Sequence, residues 1–91
     1  MEFEWNPDKA GANFKKHGVP FTEGSTVFGD PLSITFPDPA HSINESRHIT
    51  IGLSRNGSLL ILAHTDRNKR LRIISTREAT RKEKRFYEQG S

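Results

Sequence analysis

Ninety-one residues without a cysteine make one small domain, 1–91, that holds neither a disulfide nor a thiolate metal site. The net charge is +3, but between Arg67 and Arg85 nine Lys/Arg stand against two Glu, a local balance of +7, whereas the rest of the chain carries five Lys/Arg and nine Asp/Glu, a balance of −4. The longest apolar run, Leu59 to Ala63, is far too short to cross a bilayer, and MEFEWNPDK lacks the cationic start and apolar stretch of a secretory signal, so a cytoplasmic protein with no membrane partner is expected.

Phe3-Glu4-Trp5 alternates and reads as a first short strand. Asn6-Pro7-Asp8 is a helix start, with a cap residue, a proline at the first helical position and an acid in the first turn. The helix is predicted to run to about His17 and to stop at Gly18. Helical spacing puts Pro7, Ala10, Phe14 and His17 on one side and Lys9, Asn13 and Lys16 on the other. Phe21 to Phe28 reads as a second helix with Val27 and Phe28 packing inward. Leu32 to Phe36 alternates as a strand, and Asp38 to Ser46 is a polar loop expected to be mobile.

Arg47 to Glu83 organises the chain. Ile49, Ile51 and Leu53 alternate with His48, Thr50, Gly52 and Ser54, the pattern of a half-buried strand. Asn56-Gly57 predicts a two-residue hairpin turn that pairs Arg55 with Ser58. Ser58 to Ala63 is apolar on both faces, as a central strand would be. A second turn at Arg67-Asn68 leads into the alternating Arg70-Leu71-Arg72-Ile73. With these turns one face collects Ile49, Ile51, Leu53, Leu60, Leu62, Leu71 and Ile73, with His64 at its end. The other face carries His48, Thr50, Ala63, Thr65, Arg70 and Arg72. A slip of one residue would exchange the faces.

Ser75-Thr76-Arg77-Glu78 has the form of a capping box that opens a basic helix. Around that helix Arg77, Arg81 and Lys84 share one face, and Ala79 and Phe86 mark the core-facing one. Glu83 falls on the apolar side, where a carboxylate is costly unless paired. Either it makes a structural salt bridge to an arginine, or it orients a catalytic arginine or histidine or moves a proton itself. The whole is an α+β architecture: two N-terminal helices on one face of a mostly antiparallel sheet of about four strands, with a C-terminal basic helix.

The chemistry on offer is narrow. His17, His41, His48 and His64 have no partner at metal-ligand spacing, and no glycine-rich phosphate loop or dinucleotide fingerprint is present, so neither metal nor cofactor is expected. Arginines, histidines, hydroxyls and one misplaced glutamate suit metal-free cleavage of RNA, in which the 2′-hydroxyl is the nucleophile and arginines stabilise the developing charge. A plain phosphate-binding surface would use the same residue types. His64 reads either as a hydrogen-bonded core histidine or as a participant in the reaction. Tyr87 either stacks on a base or packs beside Phe86, and Lys16-His17-Gly18 is in the first place a cationic helix end.

Several segments then coincide with one family. Phe3-Glu4-Trp5 is followed by Lys9, Asn13 and Lys16-His17-Gly18. Val27-Phe28-Gly29-Asp30-Pro31, Arg47-His48-Ile49-Thr50-Ile51-Gly52 and His64-Thr65 come next. Ile73-Ile74-Ser75-Thr76-Arg77-Glu78-Ala79-Thr80, with Glu83 after it, is the most diagnostic. Over almost its full length the chain resembles BrnT, the toxin of a bacterial type II toxin–antitoxin pair. The resemblance implies a RelE-like fold, a ribonuclease that inhibits translation, and neutralisation in a hetero-oligomer by a BrnA-like antitoxin with a ribbon-helix-helix DNA-binding domain. It favours Arg77, Glu83 and His64 as catalytic candidates, joined by Arg72 and Arg81. Arg70, Lys82, Arg85, Tyr87 and Lys16 are the candidates for holding RNA. Two other readings stay open, a non-catalytic nucleic-acid-binding module and a subunit whose basic surface only docks an acidic antitoxin segment.

Overall fold

The computed structural model describes residues 1–90; Ser91, the last residue of the expected domain, lies outside the described residues. Five strands form one sheet in the order β1-β5-β4-β3-β2, with β1 Glu2–Glu4, β2 Ile34–Pro37, β3 Arg47–Leu53, β4 Leu59–Arg67 and β5 Arg70–Glu78. The expected α+β class holds, but the sheet has five strands rather than about four and is mixed, because β1 lies parallel to β5.

Helix α1, Pro7–His17, has the ends expected of it. Asn6 Oδ1 accepts from the amides of Asp8 and Lys9, and Gly18 closes the helix at φ 73, where a side chain would be strained. Ala10 packs against the core. Phe14 is 52% exposed, and Asn13 instead turns to the sheet. The Asn13 carboxamide donates to the carbonyls of Thr76 and Val19 and accepts from the Thr76 amide. β1 pairs with β5 only as far as Arg72, so Asn13 stands in for the strand neighbour that β5 lacks at Thr76. The second helix is shorter than expected: α2 spans Phe21–Ser25 and a tighter turn carries Thr26–Gly29.

Neither hairpin keeps the register read in the sequence: the first is shifted by one residue, and in the second Asp66 pairs with Leu71 and not with Lys69, a shift of two. Ser54 and Ser58 close the first, with Gly57 at φ 81, so the loop is the three-residue Arg55-Asn56-Gly57 and not Asn56-Gly57 alone. Consequently Ile51 faces Ile61 and Thr50 faces Leu62. The second turn is Asn68-Lys69, both at positive φ, rather than Arg67-Asn68. A lysine there gives no sequence signal for that conformation.

The slip exchanges the partners of β3. Leu60, Leu62, Leu71 and Ile73 share the helix-covered face with Thr50, and there they meet Val19, Phe21 and Val27, flanked by Phe3, Trp5 and Phe28. Ile49 and Ile51 lie on the other face with Ile34, Phe36 and Ile61, under the last helix. That helix, α3, is Arg81–Glu88. The expected capping box at Ser75 and Glu78 does not form, because both residues continue β5; the box is Thr80 and Glu83. Thr80-Arg81-Lys82-Glu83 satisfies the same sequence rule five residues later.

Candidate functional site

One irregularity decides which arginines meet. Along β5, Ile73 faces His64 while Ser75 already faces Ala63, so Ile74 is the extra residue of a bulge. Without it Arg72 and Arg77, five positions apart, would project from opposite faces. With it Arg70, Arg72 and Arg77 share the face that α3 covers, and Arg72 and Arg77 stand about 13 Å apart along the strand.

Arg77 and Glu83 form the best-defined pair on this face. Nη1 donates to Oε1 and Nη2 to Oε2, both at 2.8 Å, and the Thr80 amide adds a third bond to Oε1. The arginine is anchored in a strand and the glutamate in the first turn of a helix, so two rigid elements fix one guanidinium. The paired guanidinium holds the Glu83 carboxyl at about 2, well below its ordinary value, against the opposing pull of partial burial. A folded-state value below the unfolded one means that the pair stabilises the chain above about 4.5 and loses that contribution as pH falls toward about 2. Wild type is therefore expected to be more stable than Glu83→Gln at neutral pH, with the gap closing near pH 2; urea unfolding of both proteins at the two pH values checks this.

The other cations are differently placed. Arg72 donates to Glu4 at 2.9 Å and Arg70 forms an ion pair with Glu2 at 3.2 Å, so β1 supplies acids to the two arginines at that end of the sheet. On α3, Lys82, Glu83 and Phe86 face the sheet, which by helical spacing puts Arg81, Lys84 and Arg85 on the outer side. Arg81 thus does not share a helix face with Arg77, which belongs to the strand. Tyr87 donates to Asp30 at 2.6 Å, and this bond raises its hydroxyl to about 12. The ring is a tether between the end of α3 and the turn before β2. Asp30 also accepts from the Leu32 and Leu53 amides, an anchoring role that no local pattern around it signals.

Two candidates lie elsewhere. Lys16 sits on α1, in the helix layer across the sheet from α3. His64 is 3% exposed on that same helix-covered side, with Phe28 edge-on at 5.1 Å and His48 stacked at 6.0 Å. Its Nε2 and the Thr50 hydroxyl are 2.7 Å apart, and burial lowers its pKa. The sheet separates it from Arg77, Glu83 and Arg72. Among the described residues no three His, Cys, Asp or Glu side chains gather as a metal site requires, and no helix is long and apolar enough to cross a membrane.

The crystal structure of the Brucella abortus ribonuclease toxin BrnT superposes with a TM-score of 0.70 at 21% identity, covering 89% of this chain and 99% of that one, which establishes a shared fold. No curated protein sequence matches the chain. Residues 5–83 match the family described as "Ribonuclease toxin, BrnT, of type II toxin-antitoxin system". The chain belongs to the BrnT family of ribonuclease toxins.

Proposed function

We propose that this protein cleaves RNA by metal-independent transesterification at the junction of β5 and α3, that cleavage inhibits translation in the cytoplasm, and that a BrnA-like antitoxin with a ribbon-helix-helix domain neutralises it. The observation that carries the reading is the doubly bonded Arg77–Glu83 pair on the sheet face that it shares with Arg72. In the reaction the ribose 2′-oxygen attacks the adjacent phosphorus and loses its proton. The bond from phosphorus to the 5′-oxygen breaks, that oxygen takes up a proton, and a 2′,3′-cyclic phosphate remains. Negative charge accumulates on the non-bridging oxygens, where a preorganised guanidinium is most effective.

Arg77 is the group for that role, and Glu83 is a positioning residue. A carboxylate whose conjugate acid ionises at about 2 is too weak a base to remove a proton near neutrality. Its bonds hold the guanidinium plane instead, leaving the remaining N–H groups to a phosphate. Arg72 and Arg70 are held by surface acids, a kind of pairing worth little, so phosphates can displace Glu4 and Glu2. Arg81 and Arg85 on the outer side of α3 meet flanking phosphates, and Lys82 reaches them from the inner side.

RNA affinity should accordingly fall steeply with salt, each neutralised phosphate contributing roughly 0.7 to the slope of log affinity against log salt for a single strand. Lys82→Ala and Arg85→Ala should weaken binding to all sequences alike and flatten that slope. Filter binding across a salt series measures both, and salt-independent binding would point to apolar recognition.

A further inference from the structure

Next to the Arg77–Glu83 pair lies a surface that cleavage does not use. An open groove of about 530 Å³ runs between α3 and the sheet face beneath it. Its floor is Ile34, Ile49, Ile51 and Ile61, which is hydrocarbon throughout. Phe36 of β2 and Phe86 of α3 form its walls, ring to ring at 6.1 Å, and they are 40% and 41% exposed. Lys82 supplies the charge on this side of the helix. Apolar surface of this extent beneath exposed aromatic rings is the mark of an interaction site.

The occupant can be narrowed by chemistry. An unpaired nucleobase needs partners for its polar edge, and an isoleucine floor offers none. A second copy of this chain would press two α3 helices together, each bearing Arg81, Lys82, Lys84 and Arg85, and like charges across an interface are costly. A type II toxin has a protein antitoxin as its partner. On α3 four cations stand against Glu83 and Glu88, and Glu83 is already neutralised by Arg77, so Lys82 is the uncompensated charge that α3 turns to whatever lies in the groove.

We propose that this groove is the seat of the antitoxin, which places two or three aliphatic or aromatic side chains over the isoleucine floor and flanking Asp or Glu residues against Lys82 and its neighbours on α3. Such a segment lies along Glu83 and beside Ile61, the strand neighbour of Arg77. If the cleavage reading above is right, on which this regulatory consequence rests, the bound segment shuts RNA out of the guanidinium by occupying the adjoining surface.

The test uses purified full-length chain, Phe36→Glu, Phe86→Glu and the double variant, titrated with a purified full-length BrnA-like antitoxin that binds the wild-type chain. Both rings are exposed enough for carboxylates to be tolerated, and melting temperatures establish that the variants fold. Each substitution is expected to weaken antitoxin binding by roughly 30-fold or more, as loss of a central aromatic anchor does. RNA binding and cleavage should stay at wild-type level, and Phe36→Leu with Phe86→Leu should restore most of the affinity. Antitoxin affinity near wild type in the folded double variant would overturn the assignment. Loss of RNA affinity, with or without loss of antitoxin affinity, would overturn it too and make the groove part of the RNA site. A wild-type chain that binds antitoxin through these rings yet cuts no RNA would sink the cleavage reading and leave the groove assignment standing.

Discussion

Arg77→Ala is expected to lower RNA cleavage by roughly 100- to 1000-fold, the usual loss when a preorganised donor to a developing oxyanion is removed. In cells the variant should no longer arrest growth. The side chain is half-exposed and its neighbours on β5 keep their backbone pairing, so the sheet should persist. The cost in stability is that of leaving the Glu83 carboxylate with only the bond from the Thr80 amide, about 1 to 2 kcal/mol. Arg77→Lys keeps the charge but not the two-pronged geometry and should recover little activity. Glu83→Gln should also impair cleavage, less severely, because the arginine remains but its plane is no longer held. Single-turnover cleavage by protein shown to be folded separates these effects from collapse. Wild-type rates in folded Arg77→Ala would move the search for the reactive group to Arg72 and to His64.

His64→Ala is expected to do the reverse, with a large loss of stability and little change in chemistry. The imidazole is buried between Phe28 and His48 and is within hydrogen-bonding distance of Thr50, on the side of the sheet away from the arginines. Removing it opens a cavity and takes away one of the two partners of the Thr50 hydroxyl, which keeps Thr35 at 2.7 Å, at a cost of about 3 kcal/mol. Burial disfavours the charged ring, so the folded pKa lies below the ordinary 6.5. The sign here is that of a buried neutral histidine: the unfolded chain binds the proton more tightly, and stability is lost as pH falls below about 6.5. His64→Ala should therefore show less acid destabilisation than wild type. Urea unfolding across that pH range, beside cleavage at a temperature where the variant is folded, checks both halves. A folded, stable His64→Ala that cleaves slowly would place the imidazole in the reaction.

Local chemistry was legible where one residue type enforces one geometry. Asn6-Pro7 and Gly18 bounded α1 because capping and left-handed backbone admit few alternatives. The apolar run of β4 was plain for the same reason. The hairpin registers were not, since Arg55-Asn56-Gly57 closes as a three-residue loop and Lys69 takes a conformation that lysine rarely signals. That single-residue error sent Ile49 and Ile51 to the wrong face. The bulge at Ile74 and the parallel pairing of Glu2–Glu4 with Arg70–Arg72 depend on contacts between distant segments, which period and propensity do not encode. Arg77 was singled out with the wrong secondary structure, as the start of a helix. That Glu83 pairs with a cation was legible, because a carboxylate on an apolar helix face needs one nearby, but which arginine it meets was not.

The chemistry of the cut ends tests metal-independent transesterification most directly. Purified chain is incubated with RNA in the presence of EDTA, and the fragment ends are identified by mass spectrometry. The expected products carry a 2′,3′-cyclic phosphate on one side of the cut and a 5′-hydroxyl on the other, and RNA with a 2′-deoxyribose at the cut position should remain whole. Intact RNA under EDTA that is cut once a divalent cation is restored, or fragments ending in a 5′-phosphate, would contradict a reaction driven by the 2′-hydroxyl and Arg77.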